Sequence, residues 1–385
     1  MRIATNLASL GMLAVLAGCS ALSSINPFAS KEAPRNPPAE LVDFKPTMTV
    51  RTAWSTSIGS SGAFVFSPAG ASNSIFAAAA DGSIVRMEAA TGRTLWRINA
   101  GVPLTAGVGS DGDTVAVVGE KGQVLAFDGA GKLRWKAQAS SEVLSAPAVG
   151  QGLVIVRSLD NRIAAFDAES GARRWTVQRT VPPLTLRTAP GIVISGSAAF
   201  VAMPGGRLLA LTLSNGGPIW EVAVGDPRGA TELERVTDVS GAPVVLGRDV
   251  CAVAYQGRIG CVDALTGATR WAKEFSSVAG VAGDERFVFG ADERSVVNAF
   301  TRDTGASVWS NNKLANRGLS APASFGRAVA IGDAQGYVHF LSREDGSFIA
   351  RTGTDGSRII AAPLVFGPNL IFQTHAGTVT AFAAD

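Results

Sequence analysis

The sequence predicts an all-β chain: an eight-bladed β-propeller of four-stranded antiparallel blades, with the ring closed by an N-terminal strand. Three observations carry this. First, a tryptophan recurs at Trp96, Trp135, Trp175, Trp220, Trp271 and Trp309, each four residues after a glycine, at intervals of 39, 40, 45, 51 and 38 residues. A fixed period of about forty residues is the signature of a repeat array. Second, each interval holds four short apolar runs. Runs of four or five apolar residues without alternation mean strands covered on both faces. Blades stacked around a ring supply that cover. Third, a seventh tryptophan, Trp54, precedes the first full copy, and the last copy, Gly377 to Phe382, lacks its fourth strand. The segment around Trp54 is expected to complete the last blade, so that no sheet edge is left open at the junction.

Residues 1–18 stand apart from this body. Arg2 supplies a positive start, Leu7 to Ala17 an apolar core, and Leu16-Ala17-Gly18-Cys19 a small-residue ending. The apolar run is too short to span a bilayer as a helix, so it reads as a secretory signal. The ending resembles the bacterial lipobox. That resemblance implies cleavage before Cys19 and acylation of Cys19. With Ser20 following, it implies an anchor in the inner leaflet of the outer membrane. Residues 19–47 read as the lipidated cysteine and a tether, because Ala33-Pro34-Arg35-Asn36-Pro37-Pro38 suits neither a helix nor a central strand. The propeller is expected over 48–385.

The third copy shows the strand pattern. Ser145-Ala146-Pro147-Ala148-Val149 opens it, with proline near a strand start where a missing N–H is tolerated. Leu153 to Val156, Arg162 to Asp167 and Arg174 to Val177 follow. Asp167, like Asp128 and Asp263, stands where its carboxylate can accept turn N–H groups. The repeated tryptophan is expected to fill the gap between blades, its indole N–H meeting a carbonyl of the neighbour. In the seventh copy Ala350 takes the tryptophan's place, and a looser contact is expected there.

Both long intervals fall mid-chain. One holds Arg179 to Arg187, between blades three and four. The other holds Gly225 to Asp238, between blades four and five. Insertions in repeat arrays map to loops, often on a binding face. The first offers Leu184, Leu186 and Arg187; the second offers Glu234, Arg235 and Asp238. Leucines beside arginine and acids suit a protein-binding hot spot. The alternative is two surface loops whose leucines tuck inward.

Composition narrows the function. Only 17% of residues are charged and the net charge is +3, so no basic stripe for nucleic acid is expected. The two histidines, His339 and His375, and the absence of CxxC or HxxxH spacing argue against a His- or Cys-based metal site. Cys251 and Cys261 lie in one hairpin, at positions held by Ala116 and Ala126 in blade two. They read either as a disulfide, suited to an oxidising compartment, or as two small buried residues.

The Asp-x-x-Thr/Ser-Gly-x-x-x-Trp repeat resembles the PQQ-type propeller repeat of quinoprotein alcohol dehydrogenases. With eight blades, the lipobox and Leu184-Thr185-Leu186-Arg187, the mature chain resembles the BamB family of lipoproteins of the bacterial outer-membrane β-barrel assembly (BAM) complex. The resemblance implies a non-enzymatic scaffold that takes no cofactor. It also implies contact with the POTRA domains of BamA and with other BAM complex subunits. Leu184, Leu186 and Arg187 match that family's Leu-x-Leu-Arg loop, and Asp238 matches its first acidic position. Its second acidic position falls on Ser240, which leaves Glu234 as the other source of charge. Two other functions stay open: a PQQ-dependent dehydrogenase-like enzyme, and a periplasmic lipoprotein that binds ligands in the central funnel. The enzyme needs carboxylates on Ca²⁺ and a vicinal cysteine pair, and no two cysteines are adjacent. The funnel reading needs a ring of aromatic or polar residues on one funnel face.

Overall fold

A computed structural model describes residues 36–180 and 182–385; Cys19 and the signal segment lie outside the described residues. The chain forms eight four-stranded antiparallel sheets. Seven are built from four consecutive strands each. The eighth combines Leu364–Phe366, Asn369–Gln373 and Thr378–Ala384 with the N-terminal strand Val50–Ser57. The expected closure is therefore present: Trp54 pairs with Ala381.

The strands order themselves by apolar content. The first strands of successive blades touch one another around a closed ring, so they line the centre. Second strands such as Thr114–Val118, Leu153–Arg157 and Phe287–Ala291 are buried along their whole length. These Val, Ile and Ala runs fit the narrow space between stacked sheets. Fourth strands are outermost and alternate polar with apolar residues. Chain direction fixes two faces. The turns joining strands two and three share one face with the connections from strand four to the next blade. The remaining turns share the other.

The repeated tryptophan does what its spacing suggests. Each of the seven donates its indole N–H to a main-chain carbonyl of the following blade, at 2.5–2.9 Å. Each ring also lies on the turn glycine of that blade. A Cβ built on Gly171 would stand 2.6 Å from the Trp135 ring, and Gly171 has φ +73°. Glycine there serves the turn and the close approach together. The turn aspartates act as expected: Asp167 accepts from Ser170 N at 2.8 Å and Asp263 from Thr266 N at 3.0 Å.

Two expectations need correction. The junction at Ala350 is not loose. Ala350 is buried in a cluster with Met48, Phe325, Phe340, Phe372 and Phe382. Large side chains from both blades and from the N-terminal segment fill the space an indole would take. The packed body also starts earlier than residue 48. It includes the chain from Pro38 onward, because Ala39 and Met48 are hydrogen-bonded to the body around blade seven. Cys251 and Cys261 are directly paired on neighbouring strands and joined by a disulfide. Their counterparts Ala116 and Ala126 are paired in the same way. Closing so short a loop stabilises by about 2–3 kcal/mol on the chain-entropy account.

If the indole contact locks the blades, Trp135→Ala should cost about 3–5 kcal/mol, and Trp135→Phe, which leaves the Ala168 carbonyl unpaired, about 1–2 kcal/mol. Denaturant midpoints measure both; an alanine variant as stable as the parent would refute the lock.

Candidate functional site

The connection from blade three to blade four runs from Arg179 to Gly191, and that from blade four to blade five from Val224 to Asp238. Both are fourth-to-first-strand connections, so they lie on one face. The first is rich in proline and has no strand pairing of its own until Ile192. Groups from neighbouring blades therefore hold it. At its start, Asn161 accepts from Arg179 N and donates through Nδ2 to Thr180 O at 2.9 Å. At its centre, Asp238 Oδ2 accepts from Leu186 N at 2.5 Å. The other oxygen of Asp238 accepts from Gly205 N at 2.9 Å. Arg187 then reaches Glu142, on the preceding inter-blade connection, at 3.1 Å.

Asp238 is thus the joint between the two loops. It is 2% exposed. The sequence offered it as a surface acid; the structure places it beneath the first loop. The reason is backbone chemistry. Leu186 and Gly205 bring N–H groups into a buried place, and a carboxylate is an acceptor with two oxygens for them. Burial pushes its carboxyl above the usual aspartate range, while the two N–H bonds and nearby Arg157 hold it back. Arg157 is itself buried and its guanidinium is pushed down to about 10 by burial, with Asp238 opposing. Ser240 is also buried, so it offers no second surface contact.

The second loop organises itself. Thr231-Glu232-Leu233-Glu234 has the form of a helix capping box. Glu234 Oε2 accepts from Ala230 N and Thr231 N at 2.8 and 3.0 Å, and Thr231 Oγ1 accepts from Glu234 N. These bonds lower the Glu234 pKa, the Thr231 N–H most, so an exposed negative charge persists there. Arg235 lies 4.0 Å from Glu232, both half exposed; such a surface pair contributes little.

The expected site residues therefore divide. Leu184, Arg187, Glu234 and Arg235 are exposed, Leu186 is half-buried, and Asp238 is buried. The structure brings Leu186 and Asp238 together directly, and Arg187 onto Glu142. Leu233, Glu142, Asn161 and Arg157 were not anticipated. Leu233 is 73% exposed. Its signal was in the sequence, since a capping box fixes a turn and aims its middle residues outward. Arg157 was also visible, as the one charge closing the run Leu153-Val154-Ile155-Val156. The cavity bordered by the first strands of blades five to eight is lined by Gly, Ala, Val and Pro residues together with Ser324. Among the described residues no three His, Cys, Asp or Glu side chains gather as a metal site would require.

Comparison with known proteins gives a consistent picture. The family model described as outer membrane protein assembly factor BamB matches residues 80–311 and 293–385. The chain is 46% identical to the outer membrane protein assembly factor BamB of Bordetella pertussis, over 96% of each chain. It is similar to the crystal structure of BamB from Moraxella catarrhalis, at 28% identity and TM-score 0.80, over 87% of this chain and all of that one. A quinohemoprotein alcohol dehydrogenase from Comamonas testosteroni shares the fold alone, at 14% identity and TM-score 0.66, over 87% of this chain and 76% of that one.

The Asp238 joint makes a prediction in exchange and in pH. In Asp238→Ala the Leu186 and Gly205 amides should lose protection, with about 1–3 kcal/mol of stability lost overall. A carboxyl with a raised folded pKa binds its proton more tightly when folded. It therefore lowers stability as pH rises from 3.8, its ordinary value, through the raised one. The variant should lose that slope in a thermal-stability profile; unchanged Leu186 exchange would contradict the joint.

Proposed function

Because the chain belongs to the family of outer membrane protein assembly factor BamB, we propose that it is a non-enzymatic scaffold that docks on the POTRA domains of BamA through the face carrying its two long connections. Family membership makes it an outer-membrane protein assembly factor. The partner, the docking face and the anchor are the parts proposed. One observation carries the face: the Asp238–Leu186 bond locks the two connections into a single surface. On that face Leu184, Leu233, Arg187, Arg235 and the ionised Glu234 are all exposed. Exposed leucines on one face with charges of both signs suit a protein partner more than a small ligand. Rigidity helps, since a loop ordered before binding loses less entropy on binding.

The anchor reading is acylation of Cys19, which sets the body in the periplasm at the inner leaflet of the outer membrane. A cross-strand disulfide at Cys251–Cys261 suits an oxidising compartment. The non-enzymatic reading draws on residue use. The turn aspartates Asp167 and Asp263, which a quinoprotein-like site would need as free carboxylates, are engaged by their own turns. The paired cysteines face each other across two strands and are not adjacent in sequence.

Leu186→Ala combined with Arg187→Ala should remove the half-buried leucine of the first loop and its neighbouring charge. A hot-spot pair of this kind is worth about 2–4 kcal/mol, so the barrel-assembly subunit should no longer co-purify from solubilised outer membrane. Circular dichroism and denaturant midpoints of the variant should match the parent. Undiminished co-purification would sink the site.

A further inference from the structure

Ala350 stands where the other blades carry the locking tryptophan. The tryptophans rest on the turn between strands three and four of the next blade. The eighth blade has no such turn, because its third strand is Thr378–Ala384 and its fourth is Val50–Ser57. An indole at 350 would have no glycine to lie on. The chain from Ala39 to Met48 occupies this junction instead.

Its contacts run from one face of the ring to the other. At the start, Ala39 N donates to Ala315 O at 2.8 Å, and Arg317 Nη1 donates to Ala39 O at 2.8 Å. Arg317 is 5% exposed and held by Asp333, which also meets buried His339 at 2.8 Å. Midway, Arg351 donates to Val42 O at 2.7 Å and lies over Phe44, which stacks on Phe348 at 5.4 Å. At the end, Thr47 N and Met48 N donate to Ile349 O, Arg327 donates to Thr47 O, and Met48 joins the cluster around Ala350. Glu40, Asp43 and Lys45 are exposed. The apolar residues of the segment thus face inward and its charges outward.

We propose that Ala39–Met48 is a strap with two effects: it replaces the missing tryptophan lock between blades seven and eight, and it fixes the point where the N-terminal tether leaves the body. Ala315 and Arg317 lie in the connection from blade six to blade seven, on the same face as the two long connections. The chain therefore joins the body, at Ala39, on the face proposed to bind the partner. The meaning of the exit point for the membrane rests on the lipid-anchor reading; the strap itself does not.

Hydrogen exchange of the full acylated chain in detergent tests the strap. The Ala39, Thr47 and Met48 amides should exchange at least a hundredfold more slowly than their intrinsic rates; near-intrinsic exchange would overturn the proposal. In Phe44→Ala/Met48→Ala, exchange should quicken at least tenfold in Phe348–Gly353 and Thr378–Ala384 and stay unchanged in Arg162–Asp167. Unchanged exchange in all three would overturn the lock. Should that variant not fold, nitroxides at Glu40→Cys and Glu120→Cys in the otherwise native chain still decide the exit point. One narrow distance supports it and a broad distribution refutes it. A Cys19→Ala chain should give the same strap result, so failure of the anchor reading and failure of the strap are distinguishable.

Discussion

Seven of the eight blade junctions are bound by a tryptophan that lies on its neighbour's turn glycine and donates to a main-chain carbonyl beside that turn. Everything else in the body depends on this contact. It joins a side chain of one repeat to the backbone of the following one, so it closes only when the blades stand in a fixed register and spacing. Seven such contacts impose seven equal steps. The eighth step brings the two ends of the body together. There the turn is missing, and Met48 with the cluster around Ala350 does the filling. A mostly polar outer layer with a low overall charge is then sufficient, because stability resides in buried Val, Ile, Ala and Phe side chains and in these junctions.

Equal steps free the connections to vary. A blade needs its four strands and its lock; it does not need a particular loop between one blade and the next. Two adjacent connections have grown, and a buried carboxylate has made one surface of them. Asp238 belongs to the second loop but orders the first, because the N–H of Leu186 has no strand partner. Its cost in desolvation is offset in part by two backbone bonds and by Arg157. The first loop is consequently held at Leu186, while the Thr231–Glu234 bonds hold the turn that carries Leu233.

The ladder was legible in the sequence because tryptophan is rare and its repeat position is fixed. The same alignment placed Cys251 and Cys261 in one hairpin, at the positions of Ala116 and Ala126, and the structure pairs both couples across neighbouring strands. The alignment did not say whether the two sulfurs were bonded; pairing follows from register, oxidation from compartment. Asp238 was legible as a residue near the site but not as a buried one. Its partner lies 52 residues away, and no local pattern records a hydrogen bond of that span. Residues 39–47 were read as tether because they follow the run Ala33-Pro34-Arg35-Asn36-Pro37-Pro38, which suits neither a helix nor a central strand. The burial of Met48 and the half-burial of Leu41, Val42 and Phe44 follow from what blade seven lacks at Ala350, which only the closed ring makes visible.

In the proposed function the binding surface is the face bearing the long connections. Two leucines allow a matched comparison. Leu233, on that face, is 73% exposed; Leu265, on the turn between strands three and four of blade five and so on the opposite face, is 71% exposed. A photo-crosslinking residue placed at each in living cells should capture the BamA subunit from 233 and not from 265. Capture from 265 alone, or equal capture from both, would contradict the account.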